Sequence, residues 1–290
     1  MKSIIVTADD LGLDPFINRG IVEAYNRGIV TCAALLMNAP ATDEGIVIAK
    51  NNPGLEVGIH LSIVEGYSLT NLHSTITEEI NYFENGICLK RNWQEFLKSY
   101  LKGNIDFNEL EKEFELQIGK FKSHFNTIPF LNSTQHLHLL PGIWNIVMKL
   151  CKKHEIKYVR LPKMTFPDRL WLNKRMLYLL PFSLLGSYCR YTLRHTQIQS
   201  TDNMVGMQFS GSITVDKLKL IVSNLRNGIS EIMLHPGYRS DFLIKQLPIS
   251  YNKFSWEDEL NAATSSETKF FIESNNIKLL RFSDINTPKI

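Results

Sequence analysis

The feature of this sequence that most constrains its fold is the alternation of short apolar runs with segments of helical periodicity. Near the start of the chain the apolar runs occupy residues 4–8, 29–37 and 55–63, and the helical segments 15–28 and 42–51. Continuous runs rich in β-branched residues are typical of parallel strands buried on both faces. Asp14-Pro15 and Thr42 supply helix-start signals. The first 65 residues therefore predict two consecutive βαβ units.

The alternation resumes in the second half of the chain. We expect strands at 128–139, 156–161, 205–209, 231–235 and 277–282, and helices at 108–124, 141–154, 215–226 and 265–275. A Thr264-x-x-Glu267 capping box precedes the last helix. About eight strands separated by helices predict an α/β fold, an irregular TIM-like (β/α) barrel. A Rossmann-like open sheet is the alternative, but no G-x-G-x-x-G follows the first strand.

Length and composition indicate a soluble globular chain. With 290 residues, 44% of them apolar, it can bury a large core without disulfides or a structural metal. The segments 66–108 and 165–200 lack the alternation, so we expect one barrel domain over 1–290 with loop or lid insertions there. The balance of 32 basic against 29 acidic residues does not favour nucleic-acid binding. Four scattered cysteines and a short N-terminal apolar run predict a cytoplasmic protein with reduced thiols.

Polar residues stand at the ends of several predicted strands. They are Asp9, Asp10, His60, Asn132, Thr134, His136, His138 and His235. The active sites of (β/α) barrels form at the C-terminal ends of the strands. Burying carboxylates or imidazoles there costs several kcal/mol unless they are paired or bound to metal. The pattern therefore predicts one shared polar site at the barrel mouth.

Each of these placements also has a structural interpretation. Asp9 and Asp10 could serve as turn and cap residues, and His60 as a hydrogen-bonded core histidine. The alternating row 134–138 could form a polar ladder on one face of a strand. A shared site is favoured because the structural account has to explain every placement separately.

The residue types in this pattern suit hydrolysis of an amide. Successive side chains leave a strand in different directions, so adjacent aspartates can act one as a metal ligand and one as a base. Histidine and carboxylate together suit Zn²⁺, Fe²⁺, Co²⁺ or Mn²⁺. A bound water of lowered pKa, a carboxylate base and a separate histidine acid are the groups that amide hydrolysis needs.

The segment TADDLGLDPFINRGIVEAYNRGIVTCAALLMNAPA resembles the opening of the YdjC/ChbG carbohydrate deacetylases. Later segments are most similar to the HpnK branch, which is linked to hopanoid biosynthesis. These segments are PGLEVGIHLSIVEG, HLHLLP, KYVRLPKM, SGSITVDKL, EIMLHPGY and FSWEDELNAATS. The likeness runs in order from residue 4 to about 284. It implies an irregular β/α barrel that removes acetyl groups from N-acetylated sugars with one divalent metal ion, Mg²⁺, Zn²⁺ or another.

The resemblance also implies roles for individual residues. It implies a catalytic base at Asp9, metal ligands at Asp10 and His60, and a general acid or substrate contact at His235. The family's third ligand comes from an H-x-H-x-H row, and that row here begins with Thr134.

The threonine leaves three outcomes open. His136 replaces the missing ligand, the site binds metal weakly through water, or the chain is an inactive relative that still binds sugar or lipid. We expect an altered but active hydrolase, with His136 among the metal ligands and Thr134 and His138 among the substrate contacts.

The segment 169–195 is basic and apolar and contains no acidic residue. Its basic residues include Arg169, Lys174, Arg175, Arg190 and Arg194. Pro181 interrupts it, and it is too short to span a bilayer. It predicts either a peripheral contact with the inner face of a membrane, as a glycolipid substrate would require, or a lid over the barrel mouth. A homo-oligomer is compatible with the sequence.

Overall fold

This computed structural model describes residues 2–78, 86–162, 174–246, 251 and 253–285. The strands are β1 Lys2–Leu11, β2 Cys32–Leu35, β3 Glu56–Leu61, β4 Phe130–Ser133, β5 Tyr158–Val159, β6 Asn203–Val205, β7 Gly228–Leu234 and β8 Lys278–Leu279. The helices are α1 Pro15–Arg27, α2 Thr42–Asn51, α3 Trp93–Leu101, α4 Phe107–Lys122, α5 Ile143–Lys153, α6 Lys174–Leu193, α7 Val215–Ser223, α8 Asp241–Gln246, α9 Trp256–Thr264 and α10 Ser266–Ser274. Short 3₁₀ helices cover Thr134–Leu139, Met207–Phe209 and Phe282–Asp284.

The strands form one parallel sheet that curls into an irregular α/β barrel. Their order along the described part of the chain is β5-β4-β3-β2-β1-β7-β6, and β8 pairs with β1. An isolated parallel bridge from Tyr158 to Gln199 extends the β5 edge just before β6 begins. The prediction of a barrel of seven to eight strands is confirmed. In the register of β3 and β4, His60 lies beside Asn132.

The central strand β1 is buried from its third residue to its end, as its β-branched sequence predicts. The backbone has positive φ at two positions around the end of this strand, 70° at Asp10 inside it and 93° at Gly12 just after it. Asp14 then caps α1, because its Oδ1 accepts a hydrogen bond from the Phe16 N–H at 2.7 Å. This tight exit places the Asp9-Asp10 pair at the mouth of the barrel.

The predicted strand over 128–139 is wrong in its second half. β4 ends at Ser133, and a 3₁₀ helix follows in which Gln135 and His136 have positive φ, at 51° and 54°. The Ser133 hydroxyl accepts the His138 N–H at 3.1 Å and closes this turn. Leu137 and Leu139 alternate with polar residues and so suggest a strand, but they belong to this turn and are buried there. The residues 134, 136 and 138 therefore do not share a strand face.

Other boundaries also differ from the prediction. The strand expected at 205–209 is β6, which Gly206 ends with a φ of 98°. Thr42 is the first residue of α2 and Ala41 is its N-cap. The cap of α10 is Ser265, which accepts the Thr268 N–H at 3.0 Å, whereas the preceding threonine is the last residue of α9. The predicted capping box at 264–267 is therefore one residue out of place.

The segments without alternation contain helices. The prediction of loops over 66–108 is wrong for α3, and α6 lies within 165–200. Arg169 and the rest of 163–173 lie outside the described residues, as do the side chains of 174–179. Within the described ranges, no helix has both the length and the apolar character that crossing a membrane requires.

Candidate active site

A cavity of about 320 Å³ lies at the C-terminal ends of the strands. Six of the predicted site residues line it: Asp9, Asp10, His60, Thr134, His136 and His235. Its walls include the aromatic side chains of Trp93, Phe182, Tyr251 and Phe254. Residues from distant parts of the chain thus converge on one polar floor with apolar sides.

Asp9 is buried and forms a bidentate ion pair with Arg160. Arg160 Nη2 donates to Asp9 Oδ1 at 2.9 Å, and Nη1 donates to Oδ2. Arg160 Nε also donates to Glu231 Oε1 at 2.8 Å. Burial raises the Asp9 pKa, but the charge and hydrogen bonds of Arg160 outweigh it and hold that pKa well below its usual range. Asp9 is therefore ionised at neutral pH.

Asp10 and His60 face each other at the floor of the cavity. Asp10 Oδ1 lies 3.4 Å from His60 Nε2, and both side chains are buried. The positive φ of Asp10 is uncommon for a residue other than glycine, and such backbone conformations concentrate at functional sites. The other ring nitrogen, Nδ1, lies 2.6 Å from Asn132 Oδ1.

The Asp10–His60 pair fits the beginning of a divalent-metal site. Two ligands bound at about 2.0–2.2 Å to one ion lie about 3–3.5 Å apart, which matches the spacing of these two atoms. Over the residues that the structure describes, no group of three His, Cys, Asp or Glu side chains could hold a metal. Further ligands would therefore be neutral oxygens, such as the Thr134 hydroxyl or water.

His136 does not complete a three-ligand cluster with Asp10 and His60. Replacing the missing ligand required the strand to shift or bulge at His136, and the left-handed backbone found there does not bring its ring into such a cluster. Its ring lies edge to face with Phe182, at a centroid distance of 6.4 Å. Burial lowers the pKa of this ring, so His136 is neutral at the cavity wall.

His138 lies outside the cavity lining, contrary to the expected substrate contact. Its Nδ1 is 2.7 Å from the Ser133 hydroxyl, and its Nε2 is 2.9 Å from the Arg160 carbonyl oxygen. Burial lowers its pKa to about 4, so the ring is neutral. Its contacts join the turn after β4 to the backbone that carries Arg160.

His235 follows β7 and pairs with Glu259 on α9. Its Nδ1 lies 3.4 Å from Glu259 Oε2, and the carboxylate also accepts the backbone N–H groups of His235 and Ile213. Burial lowers the His235 pKa, but Glu259, with Asp10 and Asp9, raises it to about 9. The imidazolium form is therefore available at neutral pH as a proton donor.

Two buried residues of this site were not among the predicted ones: Arg160 and Glu259. Arg160 directly follows β5, so the strand-end rule that found the acids and histidines would also have found it. Asn132, a predicted strand-end residue, lies on β4. Glu259 lies on a helix, and no strand-end signal marks it.

The chain is similar to named carbohydrate deacetylases over nearly its whole length. The chain is 27% identical over 283 residues to the carbohydrate deacetylase of Brevibacillus brevis, covering 97% of this chain and 99% of that protein. It is 28% identical over 284 residues to carbohydrate deacetylase 1 of Listeria innocua, with the same coverage.

A solved structure from Enterococcus faecalis, of a protein provisionally named for cellobiose-phosphate cleavage, has the same fold. It superposes with a TM-score of 0.72 at 20% identity, covering 99% of both chains. The model of the YdjC-like protein family matches residues 3–274, nearly the whole chain. The chain therefore belongs to the YdjC-like family.

Proposed function

We propose that this protein hydrolyses the N-acetyl group of an amino sugar, releasing acetate and the free amine. The observation that carries the proposal is the placement of an ionised Asp9 and a protonatable His235 around the Asp10–His60 pair. A base and an acid whose surroundings move their pKa values apart are what hydrolysis of an amide requires. The names of the curated relatives support the same reaction.

In the proposed reaction, water adds to the acetyl carbon while Asp9 accepts its proton. The C–N bond then breaks as His235 gives its proton to the departing nitrogen. Arg160 keeps Asp9 in the acceptor form, and Glu259 keeps His235 in the donor form. Each catalytic group is thus supported by a buried partner of opposite charge.

Asp10 and His60 are the residues that would hold a divalent cation, with neutral oxygens such as the Thr134 hydroxyl beside them. When bound, the cation would supply Lewis-acid polarisation of the acetyl group. One carboxylate, one imidazole and neutral oxygens bind a divalent cation more weakly than three carboxylate or imidazole ligands do. We therefore propose a functional but easily depleted metal site.

The aromatic walls favour a carbohydrate as the substrate. Trp93, Phe182, Tyr251 and Phe254 line the cavity beside the polar floor. Ligand sites commonly combine such apolar walls with a few polar groups that fix orientation. A pyranose ring offers apolar C–H faces to the aromatic side chains and an acetamido group to the floor.

We further propose a lipid-linked acetylated sugar, such as a glycolipid of the hopanoid type. On α6, Phe182 lines the cavity, while Leu180, Leu184, Tyr188 and Tyr191 are exposed at helical spacing. A helix that contacts the cavity on one side and presents apolar residues to solvent on the other suits a peripheral membrane contact. The similarity to the hopanoid-linked branch supports the same substrate class.

The test is incubation of the protein and Co²⁺ or Zn²⁺ with N-acetylglucosamine oligomers and with an N-acetylglucosaminyl lipid. The proposal expects acetate and free amine in equal amounts, with the glycosidic bonds intact. Binding of these sugars without acetate release at any metal concentration would instead indicate the non-catalytic sugar- or lipid-binding barrel.

A further inference from the structure

Asn132 lies between the expected base and the expected metal ligand. Its side chain is fully buried on β4, beside His60 of β3 and across the barrel from Asp9 of β1. Its Nδ2 is 3.1 Å from Asp9 Oδ1, and its Oδ1 is 2.6 Å from His60 Nδ1. One amide therefore contacts two site residues that come from different strands.

The orientation of this amide follows from its neighbours. Asp9 is ionised because Arg160 holds both of its oxygens, so it can only accept hydrogen bonds. The Asn132 atom facing Asp9 must therefore be the donor NH₂ group. A flipped amide would place two acceptors against each other in a buried position, which costs about 1–3 kcal/mol.

The amide orientation in turn determines which His60 nitrogen carries the hydrogen. The Asn132 carbonyl oxygen can only accept, so His60 Nδ1 is the N–H donor at 2.6 Å. In a neutral ring this leaves a lone pair on Nε2, the atom that faces Asp10 Oδ1 at 3.4 Å. This separation exceeds the usual N–H···O distance and suits two acceptors that share a cation.

We propose that Asn132 is a positioning residue that fixes His60 as the Nδ1–H tautomer and so presents its Nε2 lone pair to a divalent cation beside Asp10. The chain of contacts runs from Arg160 through Asp9 and Asn132 to His60. The inference rests on the proposed metal role of Asp10 and His60, but the tautomer is a property of the metal-free protein. Hydrogen bonds behind a metal ligand typically change metal affinity 10- to 100-fold when removed.

The experiment records ¹H–¹⁵N correlations of the imidazole rings in metal-free, ¹⁵N-histidine-labelled protein, with His60→Gln to assign the ring. The wild type is expected to show His60 protonated at Nδ1 only. Asn132→Leu removes the acceptor, so the ring is expected to move to the Nε2–H tautomer, which can donate to Asp10. Zn²⁺ affinity, measured by chelator competition, is expected to fall at least tenfold.

Two further variants control for effects on folding. Asn132→Asp keeps an acceptor for His60 and is expected to retain the Nδ1–H tautomer, with the carboxyl oxygen that faces Asp9 protonated so that it donates to Asp9 as the amide does. Asn203→Leu replaces a buried asparagine on β6, at the other end of the sheet, and is expected to leave tautomer and Zn²⁺ affinity unchanged.

A wild-type His60 protonated at Nε2 would overturn the inference, whether or not the variants fold. An Asn132→Leu variant that keeps the Nδ1–H tautomer and the Zn²⁺ affinity of the wild type would also overturn it. The expected tautomer and Zn²⁺ binding together with no acetate release would support the inference and contradict the proposed function.

Discussion

The Nδ1 atom of His235 lies 3.4 Å from Oε2 of Glu259, and both side chains are buried. Asp9 and Asp10 on β1 also contribute negative charge near this imidazole. Since opposite charges favour the protonated ring, the His235 pKa rises to about 9 despite burial. The pair keeps a proton donor in the cavity through the neutral range.

This pair predicts a change in pH dependence. If His235 donates a proton, activity is lost as pH rises through its pKa, near 9. Glu259→Gln removes the main charge that raises this pKa, so the alkaline limb of kcat/KM should move down by at least one pH unit. The matched control is Glu257→Gln, an exposed residue of the same helix. An alkaline limb that stays near pH 9 in Glu259→Gln would contradict the assignment.

A second prediction concerns the buried charge of Arg160. Arg160→Leu leaves Asp9 and Glu231 buried without their cation, so the free energy of unfolding should fall by about 3–5 kcal/mol. Arg281→Leu, which breaks a surface pair with Asp284, should cost less than about 1 kcal/mol. Urea unfolding measures both. Equal losses in the two variants would show that the buried network is not a distinct source of stability.

A third prediction concerns Thr134. This residue lines the cavity beside Asp10 and His60, so a histidine there adds an imidazole to the proposed ligand set. Thr134→His should tighten Zn²⁺ binding by at least tenfold, about 1.4 kcal/mol, in titration calorimetry. Thr134→Val should not tighten it. Unchanged affinity in Thr134→His, with stoichiometric binding by the wild type, would mean that other groups already complete the site.

The exposed face of α6 gives a fourth prediction. Leu184→Ser and Arg194→Ala should each reduce co-sedimentation with anionic vesicles at least threefold, and added salt should reduce it in the wild type. Arg190 is unsuitable for this test because its Nη1 donates to the Thr201 carbonyl oxygen at 3.0 Å. Phe270→Ser, at an exposed position of α10, is the control. Sedimentation that is the same with anionic and with neutral vesicles, for every variant and at every salt concentration, would favour the lid.

The barrel could be predicted because local and global signals agree in β1, β3 and β7. Each contains an apolar run and has a polar residue within two positions of its C-terminal end, at the same edge of a parallel sheet. The turn after β4 could not be predicted, since its alternating leucines imitate a strand. Its left-handed residues, Gln135 and His136, are neither glycine nor asparagine, so the sequence carries no turn signal there.

The site could be predicted only as far as strand ends reveal it. Asp9, Asp10, His60 and His235 follow that rule and converge on the cavity. Glu259 does not, because it reaches His235 from a helix that lies beyond β7 in the chain. Such pairings depend on tertiary packing and are not encoded in local pattern.

The most direct test of the central claim is the kcat/KM for acetate release from an N-acetylglucosamine oligomer, with added Zn²⁺ or Co²⁺, by the wild type, Asp9→Asn and His235→Asn. The account predicts acetate and amine in equal amounts from the wild type and a loss of about 10²–10⁴-fold in each variant. Wild-type rates of acetate release in both variants would contradict it.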